Sequence, residues 1–365
     1  MVKSEKNNVL HILASLNIGG IEVLCKNYSD NSQINNHFIT VYSEGIIFNE
    51  MKCSGKAVTF LNLKNRHFLC IKDKIIKYCI KNKISTVVVH HPITVLLLLL
   101  PTLKRKLPNV KFILYAHSNA KEILRTKEKI GLLFRKYIII RAFNTADIII
   151  AISESVKLSL RDVFGIKNNI ITLYNGIDLS KFSSRKRYSK LNRRFIFVGR
   201  LVEIKGVQEI IKCLSEISIP PDFVLTIIGD GPYRATLEKL TSSLNLSKYI
   251  IFKGQSNNVP FELLTQDVFI HYPVIEEGFG LTIVEAMSVG LLCLCRKIGG
   301  ISEIITSGVN GFLVNDHTEL KARINYLLNE ISCQEENLIS EQAIARAKVF
   351  SIQNYAKELD DLITL

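Results

Sequence analysis

Short runs of β-branched and other apolar residues alternate with longer amphipathic stretches, and the alternation begins twice in one chain. In the first half the runs are Val9–Leu16, His37–Tyr42, Ala57–Leu61, Thr86–His90, Lys111–His117, Asp147–Ser153 and Ile170–Tyr174. Amphipathic stretches such as Leu69–Asn82 and Lys121–Arg141 lie between them. Runs apolar along their whole length suit strands buried on both faces, and helices between them supply the cover, so the pattern predicts a parallel α/β sheet. A polar, basic segment, 183–194, then reads as a linker. Beyond it the pattern restarts with Phe195–Val198, Val224–Ile228, Tyr249–Lys253, Val268–Tyr272 and Leu291–Cys295, and the chain closes on a helix-like stretch, Ile352–Leu365.

A length of 365 residues exceeds what one hydrophobic core usually accommodates, so the two runs of alternation read as two domains, 1–182 and 183–350, with 351–365 as a terminal helix. At 47% hydrophobic and 22% charged residues the chain is globular and needs no covalent staple. The eight cysteines form no CxxC pair, which predicts reduced thiols, no metal site and a cytosolic protein. The N-terminus leads straight into a strand-length apolar run, unlike a signal peptide. The most apolar segment, Ile93–Leu100 between Pro92 and Pro101, is shorter than the roughly 20 residues a membrane span requires.

The net charge of +14 is confined to one half. Residues 1–182 hold 27 Lys and Arg against 12 Asp and Glu, whereas 183–365 hold 20 against 21. An anionic partner for the first half would explain this, as would a lysine-rich compositional bias. Nucleic acid is disfavoured: no recognition motif is present, there is no Trp, and the cations are scattered.

In open parallel sheets, ligands meet the chain beyond the carboxyl ends of strands, where loops run into helix N-termini. Five segments qualify. Gly19 and Gly20 follow the first strand and could bring backbone N–H groups to a phosphate, although a plain strand-to-helix turn uses the same residues. Gly199, Arg200, Lys205 and Gly206 put two cations on one glycine-bounded loop, which suits a diphosphate that must be neutralised as it leaves. Gly229 closes a third turn, in Ile227-Ile-Gly-Asp-Gly-Pro232. His117 ends the fifth apolar run, and His90 and His91 end the fourth; histidines at such places are also common as structural residues. The most specific segment is 276–290, where Glu277 and Glu285 flank Phe279, Gly280, Leu281 and Thr282. Exposed amides there can hold hydroxyls or an oxyanion, and a carboxylate on the following helix can accept from a ribose diol.

Taken in order, GGIE, His117, Asn175-Gly-Ile-Asp178, VGRLVEIKG, IIGDGP, EGFGLTIVEAMSVG, Gly299-Gly-Ile-Ser-Glu303, Asn310-Gly-Phe-Leu-Val314 and Phe350-Ser351 resemble the retaining GT-B glycosyltransferases of family 4. The likeness runs from Gly19 to about Phe350. It implies two Rossmann-like domains facing each other across a cleft that holds the donor, with the last helix crossing back to the N-terminal domain. It further implies a sugar moved from a nucleoside-diphosphate sugar to an acceptor hydroxyl without a metal cofactor; base rates among such donors favour UDP, and the positive charge of the first half favours a glycan or lipid-linked acceptor in bacterial surface polysaccharide synthesis.

By the same resemblance Gly19 and Gly20 flank the donor diphosphate, while Arg200 and Lys205 bind it and stabilise the leaving group. Glu285 holds the ribose hydroxyls, and Glu277 with the Phe279–Leu281 backbone grips the transferred sugar. His117 faces that sugar; Ser118 and Asn119 after it depart from the usual pattern. No nucleophile is assigned. The basic amphipathic stretch Lys121–Arg141 suggests peripheral attachment to an anionic membrane face, against the alternative of a helix packed on its sheet. A sugar-nucleotide epimerase of the same architecture and a non-catalytic binding protein are the competing readings.

Overall fold

A computed structural model describes residues 7–17, 19–62, 68–90, 94–124, 131–182 and 193–365. The chain divides into two compact units, Met1–Gly176 with Ile352–Leu365, and Ile177–Ser351. The changeover falls at 176/177 because Ile177 pairs with Ser351 and donates its N–H to Phe350 O at 2.9 Å. Residues 177–182 therefore belong to the second unit, and most of the basic linker segment lies outside the described residues.

In the first unit, β1 (Asn8–Leu13), β2 (Asn35–Thr40), β3 (Ala57–Phe60), β4 (Ile84–Val89), β5 (Lys111–Ala116), β6 (Ile148–Ala151) and β7 (Ile170–Thr172) form a parallel sheet in the order β3-β2-β1-β4-β5-β6-β7. Val9, Ile12, Val87, Val88, Ile113 and Ile149 are buried, as strands covered on both faces require. The leucine-rich segment forms the helix Thr94–Lys106, which takes Pro101 within it and buries Leu96, Leu97, Leu99, Leu100 and Leu103. Among the described residues no helix is long and apolar enough to cross a membrane.

The last helix, Ile352–Thr364, buries Ile352, Tyr355, Ala356, Leu359 and Ile363, one stripe at helical spacing. It packs within the first unit against the helix Gly20–Asn31, with the Tyr28 and Tyr355 rings edge to face at 6.0 Å. Asp360 fastens the pair: Oδ1 accepts from Tyr28 Oη at 2.6 Å and Ser32 Oγ at 2.8 Å, and Oδ2 from Gln33 N at 2.7 Å.

The second unit contains β8 (Arg194–Val198), β9 (Val224–Ile228), β10 (Ile250–Gly254), β11 (Val268–His271), β12 (Leu292–Arg296) and β13 (Phe312–Val314), also parallel, in the order β10-β9-β8-β11-β12-β13. Phe195, Phe197, Ile210, Leu225, Ile270, Leu292 and Phe312 lie in one core cluster. Each such side chain contributes roughly 1.5–3 kcal/mol through burial. In both sheets the strand order reverses beside the first strand, between β1 and β4 and between β8 and β11. Those reversals place the loops after β1, β4, β8 and β11 where ligands of open α/β sheets bind.

Candidate functional site

In the second unit, Val198 ends β8 and Gly199 donates its N–H to Ile228 O at 3.0 Å. Gly229 approaches so closely, at a φ of +128°, that a Cβ there would run into Gly199 O. The chain then makes a 3-10 turn at Glu203–Lys205 and enters the helix Val207–Ser215 through Gly206, whose φ is +72° and whose Cβ would collide with Tyr272 O. Val274 donates its N–H to Ile204 O at 3.0 Å. The loops after β8 and β11 are thereby joined, and Lys205 meets Glu277.

Glu277 is the centre of this arrangement. Its Oε1 lies 2.7 Å from Lys205 Nζ, and its Oε2 lies 2.5 Å from Nε2 of His271, a fully buried side chain at the end of β11. Burial opposes its ionisation, but His271 and Lys205 overcome that cost and hold the carboxyl well below the usual carboxylate range. Gly300 donates its N–H to Glu277 O at 2.9 Å, so the Gly299-Gly300 pair seats the loop from behind.

Beyond that loop, Phe279 is buried with its ring 5.4 Å from that of Phe350. Only its backbone remains available to a ligand. Gly280 caps the helix Leu281–Ser288, of which Leu281 and Thr282 form the first turn and Glu285 the second. Burial pushes the Glu285 carboxyl up to about 7 against the opposing pull of Lys181. Two carboxylates eight residues apart are thus driven in opposite directions, one ionised under all ordinary conditions and one near neutrality. Arg200 stands apart: it is exposed, and no ion pair or side-chain hydrogen bond holds it among the described residues.

In the first unit, Gly19 caps the helix Gly20–Asn31, and the Glu22 carboxylate folds back over it, where a Cβ on Gly19 would collide. Its carboxyl is raised by burial. His117 follows β5, is 9% exposed, and stacks on Tyr115 with ring centroids 4.3 Å apart. His90 follows β4, with its Nδ1 3.2 Å from His117 Nε2; His91 lies outside the described residues.

Two residues absent from the sequence reading matter here. His271 was hidden inside an apolar run, and His11 lies at the centre of β1, where a polar residue in Val-Leu-His-Ile-Leu was the available signal. One expectation fails. Lys121–Arg141 is not a single amphipathic helix but two, Ala120–Leu124 and Leu132–Thr145, with 125–130 outside the described residues. Arg135 turns inward, 4% exposed, binding Ile123 O at 2.9 Å and Thr94 Oγ1 at 3.1 Å, because its guanidinium there satisfies buried acceptors. Leu132, Leu133 and Phe134 face solvent instead, at 61%, 83% and 57% exposure.

Comparison with known proteins agrees with this architecture. Residues 18–181 match the family model described as Glycosyltransferase Family 4, and residues 180–346 match that of Glycosyl transferases group 1. The chain is 29% identical over 195 residues to the N-acetyl-alpha-D-glucosaminyl L-malate synthase of Bacillus anthracis, a match covering 51% of each chain. It is 28% identical over 252 residues to the UDP-Gal:alpha-D-GlcNAc-diphosphoundecaprenol alpha-1,3-galactosyltransferase of Escherichia coli, covering 65% of this chain and 64% of that one. The matches thus span about half to just under two thirds of these curated relatives. Among solved structures, HepE of Anabaena in complex with UDP superposes with a TM-score of 0.81 at 19% identity, covering 98% of this chain and 99% of that one, and shows the same GT-B fold.

Proposed function

Carrying both halves in sequence, the chain belongs to the family 4, group 1 glycosyltransferases of GT-B fold, and from that premise we propose that it moves a sugar from a nucleoside-diphosphate sugar to an acceptor hydroxyl with retention at the anomeric carbon. The observation that carries this reading is Glu277, held ionised between Lys205 and His271 where the second sheet reverses. Phosphoryl oxygens of a donor would draw Lys205 to themselves, while His271 keeps Glu277 ionised to accept from the hydroxyls of the transferred sugar. Arg200, free to move, supplies the second cation, and the two together take the charge of the departing diphosphate in place of a divalent metal. The first-turn amides beyond Gly280 orient the sugar, and Glu285 accepts from the ribose diol. To His117 and the Gly19-Gly20 turn of the first unit we assign, by the family resemblance alone, roles in recognising a sugar and a phosphate.

UDP is the base we favour, in line with the donor in the Escherichia coli relative's name and the UDP held by HepE. That relative's diphosphoundecaprenol acceptor likewise favours a lipid-linked acceptor and a role in surface polysaccharide synthesis. Exposed Leu132, Leu133, Phe134 and Tyr137 next to Lys136 and Arg141 suit contact with an anionic bilayer, apolar side chains entering the interface and cations meeting headgroups.

The deciding experiment is thermal unfolding against a panel of UDP-, GDP- and ADP-sugars with a chelator present. A nucleotide at 100 times its dissociation constant stabilises the native state by about 2.7 kcal/mol. Stabilisation by one nucleotide class, lost in Lys205→Ala and Glu285→Ala, supports the assignment. Silence across the panel overturns it. Conversion of the donor sugar with no acceptor present would favour an epimerase.

A further inference from the structure

The two partners of the Glu277 carboxylate differ in kind. Lys205 reaches Oε1 from the turn after β8 with a flexible, partly solvated stem, and it can swing away. His271 reaches Oε2 from inside the sheet and is buried. Its ring stacks on those of Phe197 and Phe269, with centroids 5.8 and 6.1 Å away, and it pairs in register with Cys295 of β12. A ring packed in this way has no room to turn from Glu277.

The proton between His271 and Glu277 has one owner. An ionised carboxylate only accepts, so Nε2 carries the N–H. Nδ1, on the other side of the ring, is buried and meets no hydrogen-bonding partner among the described residues. A second proton there would be a charged N–H shut away from water and from any acceptor, whereas a bare nitrogen leaves only a lone pair unmet. The surroundings therefore suit a neutral ring with its single proton on Nε2. Lys205 is then the only cation in contact with Glu277 among the described residues. The remaining titratable group facing the carboxylate is the Cys295 thiol, which burial pushes well above its usual range and keeps protonated.

We propose that His271 is a positioning residue that commits Oε2 of Glu277 to the sheet without cancelling its charge, so that Oε1 is the oxygen exchanged between Lys205 and a hydroxyl of the transferred sugar. The inference rests on the reading of Glu277 as the acceptor for that sugar and deepens it. A positively charged ring would leave the carboxylate compensated and a weaker acceptor. A neutral donor fixes its orientation and leaves the negative charge to the ligand once Lys205 turns to the diphosphate. Selection of the sugar then depends on the hydroxyl that meets Oε1.

Selective ¹⁵N-histidine and ¹³C-glutamate labelling of the full chain, read by NMR, tests this without a ligand. Near neutral pH His271 should show a proton on Nε2 and none on Nδ1. His271→Phe places a plain ring between Phe197 and Phe269 and removes the donor, so the Glu277 carboxyl should take up a proton at least one pH unit higher than in the parent. His271→Gln returns an N–H and should reverse most of that change. With UDP-glucose and UDP as calorimetric probes, His271→Phe should lose about tenfold in affinity for the sugar nucleotide and little for UDP. A His271 protonated on Nδ1, alone or together with Nε2, overturns the proposal. So does a Glu277 titration unmoved in His271→Phe, or an equal loss for the two probes. If His271→Phe does not fold, the ring nitrogens of the parent still decide. Failure of the underlying reading shows separately, as a parent with the proposed ring nitrogens that binds no UDP-, GDP- or ADP-sugar.

Discussion

Lys205 and His271 hold Glu277 from opposite sides, one at each carboxylate oxygen, at 2.7 and 2.5 Å. Neither neighbour comes from the segment that carries Glu277; each ends or follows a strand at the sheet reversal. The carboxylate is thus positioned by the sheet and not by its own loop. Its ionisation contributes stability above the ordinary glutamate value of 4.5, and that contribution is lost as acid takes the pH down through the lowered native value.

Lys205→Ala removes one of these partners and the cation assigned to the diphosphate. Turnover should fall by about 10²–10³, the usual consequence of losing one stabilising group at a developing charge. The cost in stability should be only about 1–2 kcal/mol, because both side chains of the pair retain some solvent contact and His271 remains. Steady-state kinetics with denaturant unfolding separates the two effects; a turnover loss no larger than the stability loss explains would remove Lys205 from the donor site.

Glu285 behaves in the opposite sense. Burial raises it from 4.5 to about 7, so across that window the native state keeps a proton that the unfolded chain has released. Stability therefore declines as pH rises from 4.5 to 7, by about 3 kcal/mol in total. Glu285→Gln abolishes that decline and should be more stable than the parent at about pH 8 but not at about pH 5. It should also bind the nucleotide at least tenfold more weakly, through loss of a charged acceptor to the ribose. Unfolding curves at both pH values check the first statement, and titration calorimetry the second. An equal difference at both pH values would contradict it.

Gly206→Ala forces a side chain at a φ of +72° against the Tyr272 carbonyl. We expect a loss of about 2–4 kcal/mol, strain adding to the steric clash. Since this contact also brings Lys205 to Glu277, nucleotide affinity should drop with it, visible as a thermal shift that shrinks along with the melting temperature. A variant of unchanged stability would show that the two loops can separate freely.

Leu133 is 83% exposed on the first turn of the helix Leu132–Thr145. Leu133→Glu should leave melting and nucleotide binding unaltered while reducing flotation with vesicles rich in anionic lipid about tenfold, since it removes an exposed apolar side chain that would enter the bilayer interface and adds a like charge. Equal flotation of parent and variant would take this turn out of the membrane contact.

The strands were legible because parallel sheets write themselves as continuous apolar runs, and their ends were shifted by at most three residues. β13 escaped notice as a strand because Phe312–Val314 is three residues long and follows a glycine turn. The glutamate and lysine of the site were legible because glycines mark where the backbone must turn sharply. His271 was not, for a histidine that closes a strand reads like any other core position until its partner is seen. Arg135 misled for a related reason: counting charges along a stretch assigns them to the wet face, whereas a guanidinium with three buried oxygen contacts pays its own desolvation cost. The hydrogen bonds of Tyr28 and Ser32 to Asp360 join residues separated by more than 300 positions, and no local pattern foretells such a link.

The return of the last helix to the first unit has a consequence for biosynthesis. Once residue 351 has been added, every residue of the second unit exists, and that unit can fold as soon as it leaves the ribosome. The first unit, although begun earlier, still exposes the face of the Gly20–Asn31 helix that Tyr355, Leu359 and Asp360 will cover. Nascent chains usually complete their domains from the N-terminus onward; here the first unit cannot be completed before the second has been synthesised, and a chain truncated at 351 would carry every residue of the second unit beside an unfinished first.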